Sequence, residues 1–94
     1  MQKNNFVDKT KLVHPLKVRI LSRSSREVFD GKVSSVTSVN DKGVFDVLPQ
    51  HANFVSLINS YIILDEGLPT RKEIKIDRGV MKVAGDVVNI YLGL

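Results

Sequence analysis

Turn signals recur so often along this chain that no helix of ordinary length fits between them. Asp30-Gly31, Asn40-Asp41-Lys42-Gly43, Pro49, Asn59-Ser60, Asp65-Glu66-Gly67-Leu68-Pro69, Arg78-Gly79 and Gly85-Asp86 punctuate residues 16–92. Each group contains residues that tolerate or fix turn dihedrals. Helices shorter than about 12 residues are marginal in water, so the short apolar pieces between these signals read as strands. Leu16, Val18 and Ile20 alternate with Lys17 and Arg19, the period-2 mark of a half-buried strand. Residues 26–29 read as a short strand running into Asp30-Gly31, a dipeptide suited to a tight hairpin. Val33, Val36 and Val39 are three apart, a spacing that taken alone fits a helix face as well as a strand. Their β-branching and the turn signals on both sides decide for a strand over 32–39, with a bulge to reconcile the spacing. Residues 44–48, 54–58, 61–64, 71–77, 80–84 and 87–92 complete a set of about nine short strands, which describes an all-β antiparallel sandwich or barrel.

At 94 residues the chain makes one domain, with 43% hydrophobic and 26% charged residues, the balance of a soluble globular chain rather than a disordered one. No apolar run approaches the roughly 20 residues that span a bilayer, and no hydrophobic segment follows the N-terminus as in a signal peptide, so the expectation is a cytoplasmic protein. The absence of cysteine excludes disulfides, thiolate metal sites and cysteine nucleophiles.

The net charge of +4 is concentrated at the front. Residues 1–19 carry Lys3, Lys9, Lys11, Lys17 and Arg19 against Asp8, whereas the remaining residues balance. Residues 1–14 show no sustained period, and the expectation is a basic, irregular extension over 1–15, closed by Pro15, ahead of a domain spanning 16–94. A basic tail without interleaved aromatics is more often a solubilising or docking extension than a nucleic-acid reader.

Catalysis needs a nucleophile with a base, paired carboxylates in a pocket, or a metal, and no such grouping is visible. His14 and His51 are far apart, and no His/Asp/Glu cluster has metal-ligand spacing. A corner histidine more commonly makes a turn hydrogen bond or an interface contact than acts as a base, and a pair between His51 and Asp46 would more commonly be structural. No glycine-rich phosphate loop occurs, so neither a cofactor nor a nucleotide site is expected.

The most distinctive text is Gly43-Val44-Phe45-Asp46-Val47-Leu48-Pro49-Gln50-His51-Ala52-Asn53-Phe54, a strand, a proline corner and another apolar run. It resembles the Gly-Glu-Phe-Gly-Ile-Leu-Pro-Gly-His-Ala-Pro signature of the epsilon subunit of F-type ATP synthases. Upstream, Leu16-Lys17-Val18-Arg19-Ile20-Leu21 and Val28-Phe29-Asp30-Gly31-Lys32-Val33-Ser34-Ser35-Val36-Thr37 are similar to that family's opening strand and hairpin. Downstream, Ile76-Asp77-Arg78-Gly79-Val80-Met81-Lys82-Val83 resembles its Val-Ser-Gly-Gly-Phe-Leu-Glu-Val segment, followed by Val87-Val88-Asn89-Ile90. Order and spacing are kept from Leu16 to about Ile90, which is more specific than any one piece.

The resemblance implies an antiparallel β-sandwich of two packed sheets with nine to ten short strands. It also implies a non-catalytic central-stalk (rotor) subunit of an F-type or F-type-like rotary ATPase, in a complex that couples proton transport to ATP synthesis. Its partners would be a gamma-like subunit, a membrane rotor ring or a substitute for it, and indirectly the catalytic alpha/beta assembly. Neither nucleic acid nor membrane insertion is implied, and the subunit would lie peripheral to the membrane. The implied partner interface is Val44, Phe45, Asp46, Leu48, Pro49, Gln50 and His51. Family members usually continue into two C-terminal helices that form a regulatory arm, and the expectation here is a domain without that arm or its ATP-sensing site. Val44 stands where the pattern has an acidic residue, Asp46 and Gln50 where it has glycine, Asn53 where it has proline, and Asp77-Arg78 where it has serine-glycine. The corner's shape-setting residues are kept while its contact-setting ones change, which favours a specialised ATPase with a non-standard lower partner. A small nucleic-acid-binding barrel is the alternative of another class, and it would require cations gathered on one face.

Overall fold

The computed structural model describes residues 15–24, 26–50 and 53–93. These form seven strands: β1 (Leu16–Leu21), β2 (Glu27–Val33), β3 (Val36–Asn40), β4 (Gly43–Val47), β5 (Phe54–Leu64), β6 (Lys72–Ala84) and β7 (Val87–Leu92). They join in one hydrogen-bonded sheet of order β2-β1-β7-β6-β5-β3-β4. Every neighbouring pair is antiparallel except β1 with β7, which run parallel and make the sheet mixed rather than purely antiparallel.

The two long strands give this sheet its depth. β5 and β6 pair over their whole lengths, but the register slips between Asn59 and Ser60, so that Asn59 faces Arg78, Ser60 faces Ile76, and Asp77 is left between them. The extra residue flips the side-chain alternation of β6: Ile74 and Ile76 point inward before the bulge, and Gly79, Met81 and Val83 after it. β7 attaches along the 79–84 half of β6, whereas β3 attaches to β5 from Asn59 to Leu64. The sheet therefore doubles back on itself around a single core. Leu16, Val18, Ile20, Ile58, Met81, Val83, Val88 and Ile90 come from one half, and Val36, Val47, Ile62 and Leu64 from the other. Burying each such side chain contributes about 1.5–3 kcal/mol.

The all-β expectation is met; the described residues form seven strands, where nine or ten short ones were expected of the chain. Two of the expected turns, Asn59-Ser60 and Arg78-Gly79, lie opposite each other inside continuous strands and together form the bend. The third difference is Asp30-Gly31, which does not make a hairpin. Both residues lie within β2, paired with Arg19 and Val18, and the chain leaves the strand at Ser34-Ser35. Gly31 gives room to an aromatic ring: a Cβ there would stand 3.1 Å from the Phe29 ring edge. The Ser34-Ser35 connection is fixed from afar by Asp65, buried at 8% exposure. Its Oδ1 accepts the Ser34 N–H at 2.6 Å, its Oδ2 the Thr70 hydroxyl at 2.7 Å, and its own N–H donates to the Ser35 carbonyl at 3.1 Å. Residues 1–14 lie outside the described residues, and with them most of the expected extension.

Candidate functional site: the corner after the fourth strand

β3 and β4 form a hairpin whose turn follows its residues closely. The Lys42 N–H donates to the Asn40 Oδ1 at 2.9 Å, and Gly43 adopts φ 114°, which favours glycine. β4 is an edge strand, so its outward side chains face solvent. Val47 is buried and Phe45 half-buried, its ring meeting Phe54 edge to face with centroids 6.3 Å apart at 72°. That ring pair sets β4 against the start of β5, across the corner. Val44 and Asp46 point outward; Val44 is 64% exposed, while the Asp46 Oδ1 accepts the Thr37 hydroxyl at 2.6 Å from the neighbouring strand.

Beyond β4 the corner opens with Leu48, 49% exposed, and Pro49, half-buried. Gln50 follows in the left-handed region, φ 65°. Its N–H donates to the Asp86 Oδ1 at 2.5 Å, and the Asn53 Oδ1 accepts the Gly85 N–H at 2.8 Å. Asp86 also accepts the Lys17 N–H on its backbone carbonyl at 2.8 Å. The two-residue turn between β6 and β7 thus holds the corner at two points and the start of β1 at a third.

Of the seven interface candidates, the structure brings Val44, Asp46, Leu48 and Gln50 to one exposed end and edge. Phe45 and Pro49 face more inward, and Phe45 is a packing residue. His51 lies outside the described residues, as does any pair with Asp46. Sequence reasoning missed the anchors: Gly85-Asp86 read as plain hairpin punctuation, and Asn53 only as a departure from a pattern.

The chemistry of this corner is that of a shaped surface. Its carboxylates are occupied as acceptors, and among the described residues no group of His, Cys, Asp and Glu has the arrangement to hold a metal ion. Arg71, whose guanidinium is raised above its ordinary value by hydrogen bonds to Glu73 and then Glu66, forms an exposed clasp elsewhere, at 3.1 Å to each. Two open depressions, of about 240 Å³ beside Lys17, Arg19 and Asn89 and about 470 Å³ beside Asp41, Val55 and Leu57, lie on outer surfaces.

Residues 15–92, from the first strand through the corner to the last, match the family described as ATP synthase, Delta/Epsilon chain, beta-sandwich domain. The chain belongs to this family. The doubled-back sheet is the delta/epsilon sandwich. A chain of the Euglena gracilis mitochondrial ATP synthase, from a cryo-EM structure of its OSCP/F1/c-ring, superposes with TM-score 0.75 at 16% identity, covering 84% of this chain and 51% of that one. A chain of the Tetrahymena thermophila mitochondrial ATP synthase, from its central stalk/c-ring, superposes with TM-score 0.65 at 12% identity, covering 82% and 62%. At such identities the likeness is one of fold, and the delta/epsilon domain described here spans between half and two thirds of those longer chains. No curated protein sequence matches this one closely enough to count as a relative.

Proposed function

We propose that this chain is a non-catalytic stalk subunit of an F-type or F-type-like rotary ATPase, whose sandwich binds a gamma-like subunit, with Leu48 and the corner contributing to that interface and to the contact with the part of the rotor below. The observation that carries this reading is the family match over residues 15–92 together with a signature corner that keeps Gly43, Phe45, Leu48 and Pro49. Torque transfer asks for a stiff module without active-site chemistry. A sheet doubled around one core, with its corner bonded to the β6–β7 turn, supplies that stiffness. The subunit works peripheral to the membrane, held by protein partners; among the described residues no helix is long and apolar enough to cross a bilayer.

The lower partner is a non-standard ring or another protein in the place of the standard proton ring. Val44 presents an apolar side chain, 64% exposed, where the family pattern is acidic, which removes a charge from the surface. An exposed ion pair at such a place is worth about 1 kcal/mol or less, so the change tunes recognition rather than abolishing it.

The test is reconstitution with the gamma-like subunit from the same source. A stable complex on size-exclusion chromatography is expected, about tenfold weakened by Leu48→Asp. No ATP hydrolysis by the isolated chain and no tight ATP binding in calorimetry are expected. Failure to bind gamma would overturn the stalk reading. Strong retention on random-sequence DNA at physiological salt would instead promote the nucleic-acid alternative. Assembly on a standard proton ring as tight as an ordinary epsilon achieves would overturn the reading of the lower partner alone.

A further inference from the structure

We propose that residues 1–14 of this chain close an open seam in its own sandwich, with Asn5-Phe6-Val7-Asp8 added as a strand along residues 55–58 of β5. β3 attaches to β5 only from Asn59 to Leu64, so the two strands part at the bend. Among the described residues no strand pairs with Val55 to Ile58 on the side away from β6. Val55 is 64% and Leu57 74% exposed, whereas Ser56 is half-buried and Ile58 buried. Across the gap stands the hairpin of β3 and β4. It reaches β5 through the Asn40 side-chain N–H, which donates to the Ser56 hydroxyl at 3.2 Å, and through the Phe45 ring against Phe54. Between them lies the open depression of about 470 Å³ lined by Asp41, Val55, Ser56, Leu57 and Asn59.

Direction and charge single out this stretch among the open strand edges. β2 ends at Val33, paired with Leu16, and β4 ends at the corner bonded to Asp86, whose carbonyl takes the Lys17 N–H. Both run toward the end of the sheet where residues 1–14 join β1, and a segment arriving there would lie parallel to them. Residues 55–58 run away from that end, from the corner to the bend, and offer the antiparallel pairing. The start of β6 also lacks a second neighbour, but it carries Lys72, Glu73, Lys75 and Asp77, and its Lys72 ammonium lies 5.7 Å from the centroid of the Phe29 ring on β2. Charges of this kind guard an edge, and residues 55–58 have none.

Length and pattern select the occupant. From β1 to the position beyond β5 is four strand spacings, roughly 19 Å, or about six residues of extended chain. Counting back from Pro15, Lys9 to His14 make the crossing, and Asn5-Phe6-Val7-Asp8 comes to lie beside Val55 to Ile58. β5 turns Ser56 and Ile58 inward and Val55 and Leu57 outward, so a strand beside it needs an apolar side chain on each face. Phe6 and Val7 are adjacent, and in an extended chain adjacent side chains point to opposite faces. Net charge does not choose, because Asp41 and Asp46 near the seam are matched by Lys42 and by Lys82, which is registered with Val55. The covalent link does. A few residues of ladder hold a separate chain poorly against the cost of association, whereas a tethered segment acts at an effective concentration of about millimolar. Closing the seam also removes an apolar edge through which copies would stack.

The chain holds no cysteine, so Asn4→Cys in the full 15N-labelled protein takes a single nitroxide. Paramagnetic broadening is expected at Leu57, Ile58 and Asn59, which residue 4 would approach, and not along β2. In a Phe6→Asp, Val7→Asp double variant, every second amide over residues 55–58 is expected to exchange about tenfold faster, with core-strand exchange unchanged. Added salt should alter neither result. Broadening centred on β2, on β4 or on residues 72–77, or none among the described residues, overturns the proposal, as does seam exchange that the double variant leaves unaltered. Dispersal by salt alone would mean that the lysines rather than strand pairing hold the segment, which also overturns it. Broadening passed from labelled to unlabelled molecules would give the seam to a second copy, and protection that arises only with the gamma-like subunit bound would give it to that partner; either outcome overturns the assignment to residues 1–14. Failure of gamma binding leaves the results on the chain alone untouched, so the stalk reading and this one fail separately.

Discussion

The two bends of this molecule start from turn signals of different kinds and are built in opposite ways. At the first, Asn59-Ser60 and Arg78-Gly79 keep the ladder intact: the strands run through, one residue is squeezed out, and the sheet turns over. At the second, the chain leaves the ladder after Val47, and two hydrogen bonds to a distant turn hold it: the Gln50 N–H donates to the Asp86 carboxylate, and the Asn53 side chain accepts the Gly85 N–H. The difference lies in what stands opposite. Two polar breaks facing each other across a ladder can share one bulge, whereas a proline that cannot donate must end the pairing and find bonds elsewhere. A bend within a ladder is stiffened by backbone on both sides. A tethered loop is only as rigid as its two tethers.

The largest test of this contrast is Gly79→Ala. Immediately after the bulge, a Cβ at Gly79 would lie 2.8 Å from the Tyr91 carbonyl oxygen and 2.9 Å from the Leu92 Cδ2, and the oxygen is backbone that cannot step aside. Urea unfolding should show a loss of about 2–3 kcal/mol. A loss below about 0.5 kcal/mol would show that β7 does not approach β6 closely there, and the bend would not be the rigid one.

At the tethered corner the effects are smaller and local. Asp86→Ala removes the carboxylate that takes the Gln50 N–H and should cost about 1.5 kcal/mol, with faster hydrogen exchange at the Gln50 amide. The Lys17 N–H bond to the residue 86 carbonyl survives the change, so β1 should keep its protection. Loss of protection along β1 as well would mean the turn supports the whole end of the sandwich. Asn53→Ala removes one neutral acceptor from the Gly85 N–H, and a cost of about 1 kcal/mol is expected, without effect on Gln50. Coupled loss at both amides would make the two tethers a single cooperative latch.

Much of the fold was legible because it is local. The alternation of Leu16, Val18 and Ile20, the Asn40 to Gly43 turn and the Gly85-Asp86 turn stand where their residues place them. What escaped is what depends on a partner far along the chain. Asp30-Gly31 has every mark of a hairpin, yet it lies flat in β2 because β1 pairs through it and Phe29 needs the room above Gly31. The two turn signals of the bend could not be recognised as one feature, because nothing within either segment says that Asn59 faces Arg78. The same holds at the candidate site. The exposure of Leu48 and the sharpness of the corner follow from Pro49 and its neighbours, but the bonds to Asp86 and Gly85 join residues 36 and 32 apart. Asn53, a departure from the family's proline, turns out to be one end of such a bond.

Gln50 brings the comparison to a single backbone dihedral. Its φ of 65° lies in the region where a Cβ crowds the following carbonyl, at a cost of about 1–2 kcal/mol for an L residue. The family pattern to which this corner is similar has glycine there, and this geometry gives the physical reason. Keeping glutamine holds the N–H aimed at Asp86 against that strain. Gln50→Gly relieves it but adds freedom to the unfolded chain, worth about 0.5–1 kcal/mol in the other direction. The net expectation is a small stabilisation, up to about 1 kcal/mol, with the Gln50-to-Asp86 bond retained because it uses only the backbone donor. Thermal unfolding of Gln50→Gly, alone and with Asp86→Ala, separates the terms. If the relief appears only while Asp86 is present, the tether is what forces the dihedral. If it appears equally in both backgrounds, Pro49 and the strand ends impose the turn and the tether merely accepts it, which would make this corner more like the bend than the present contrast holds.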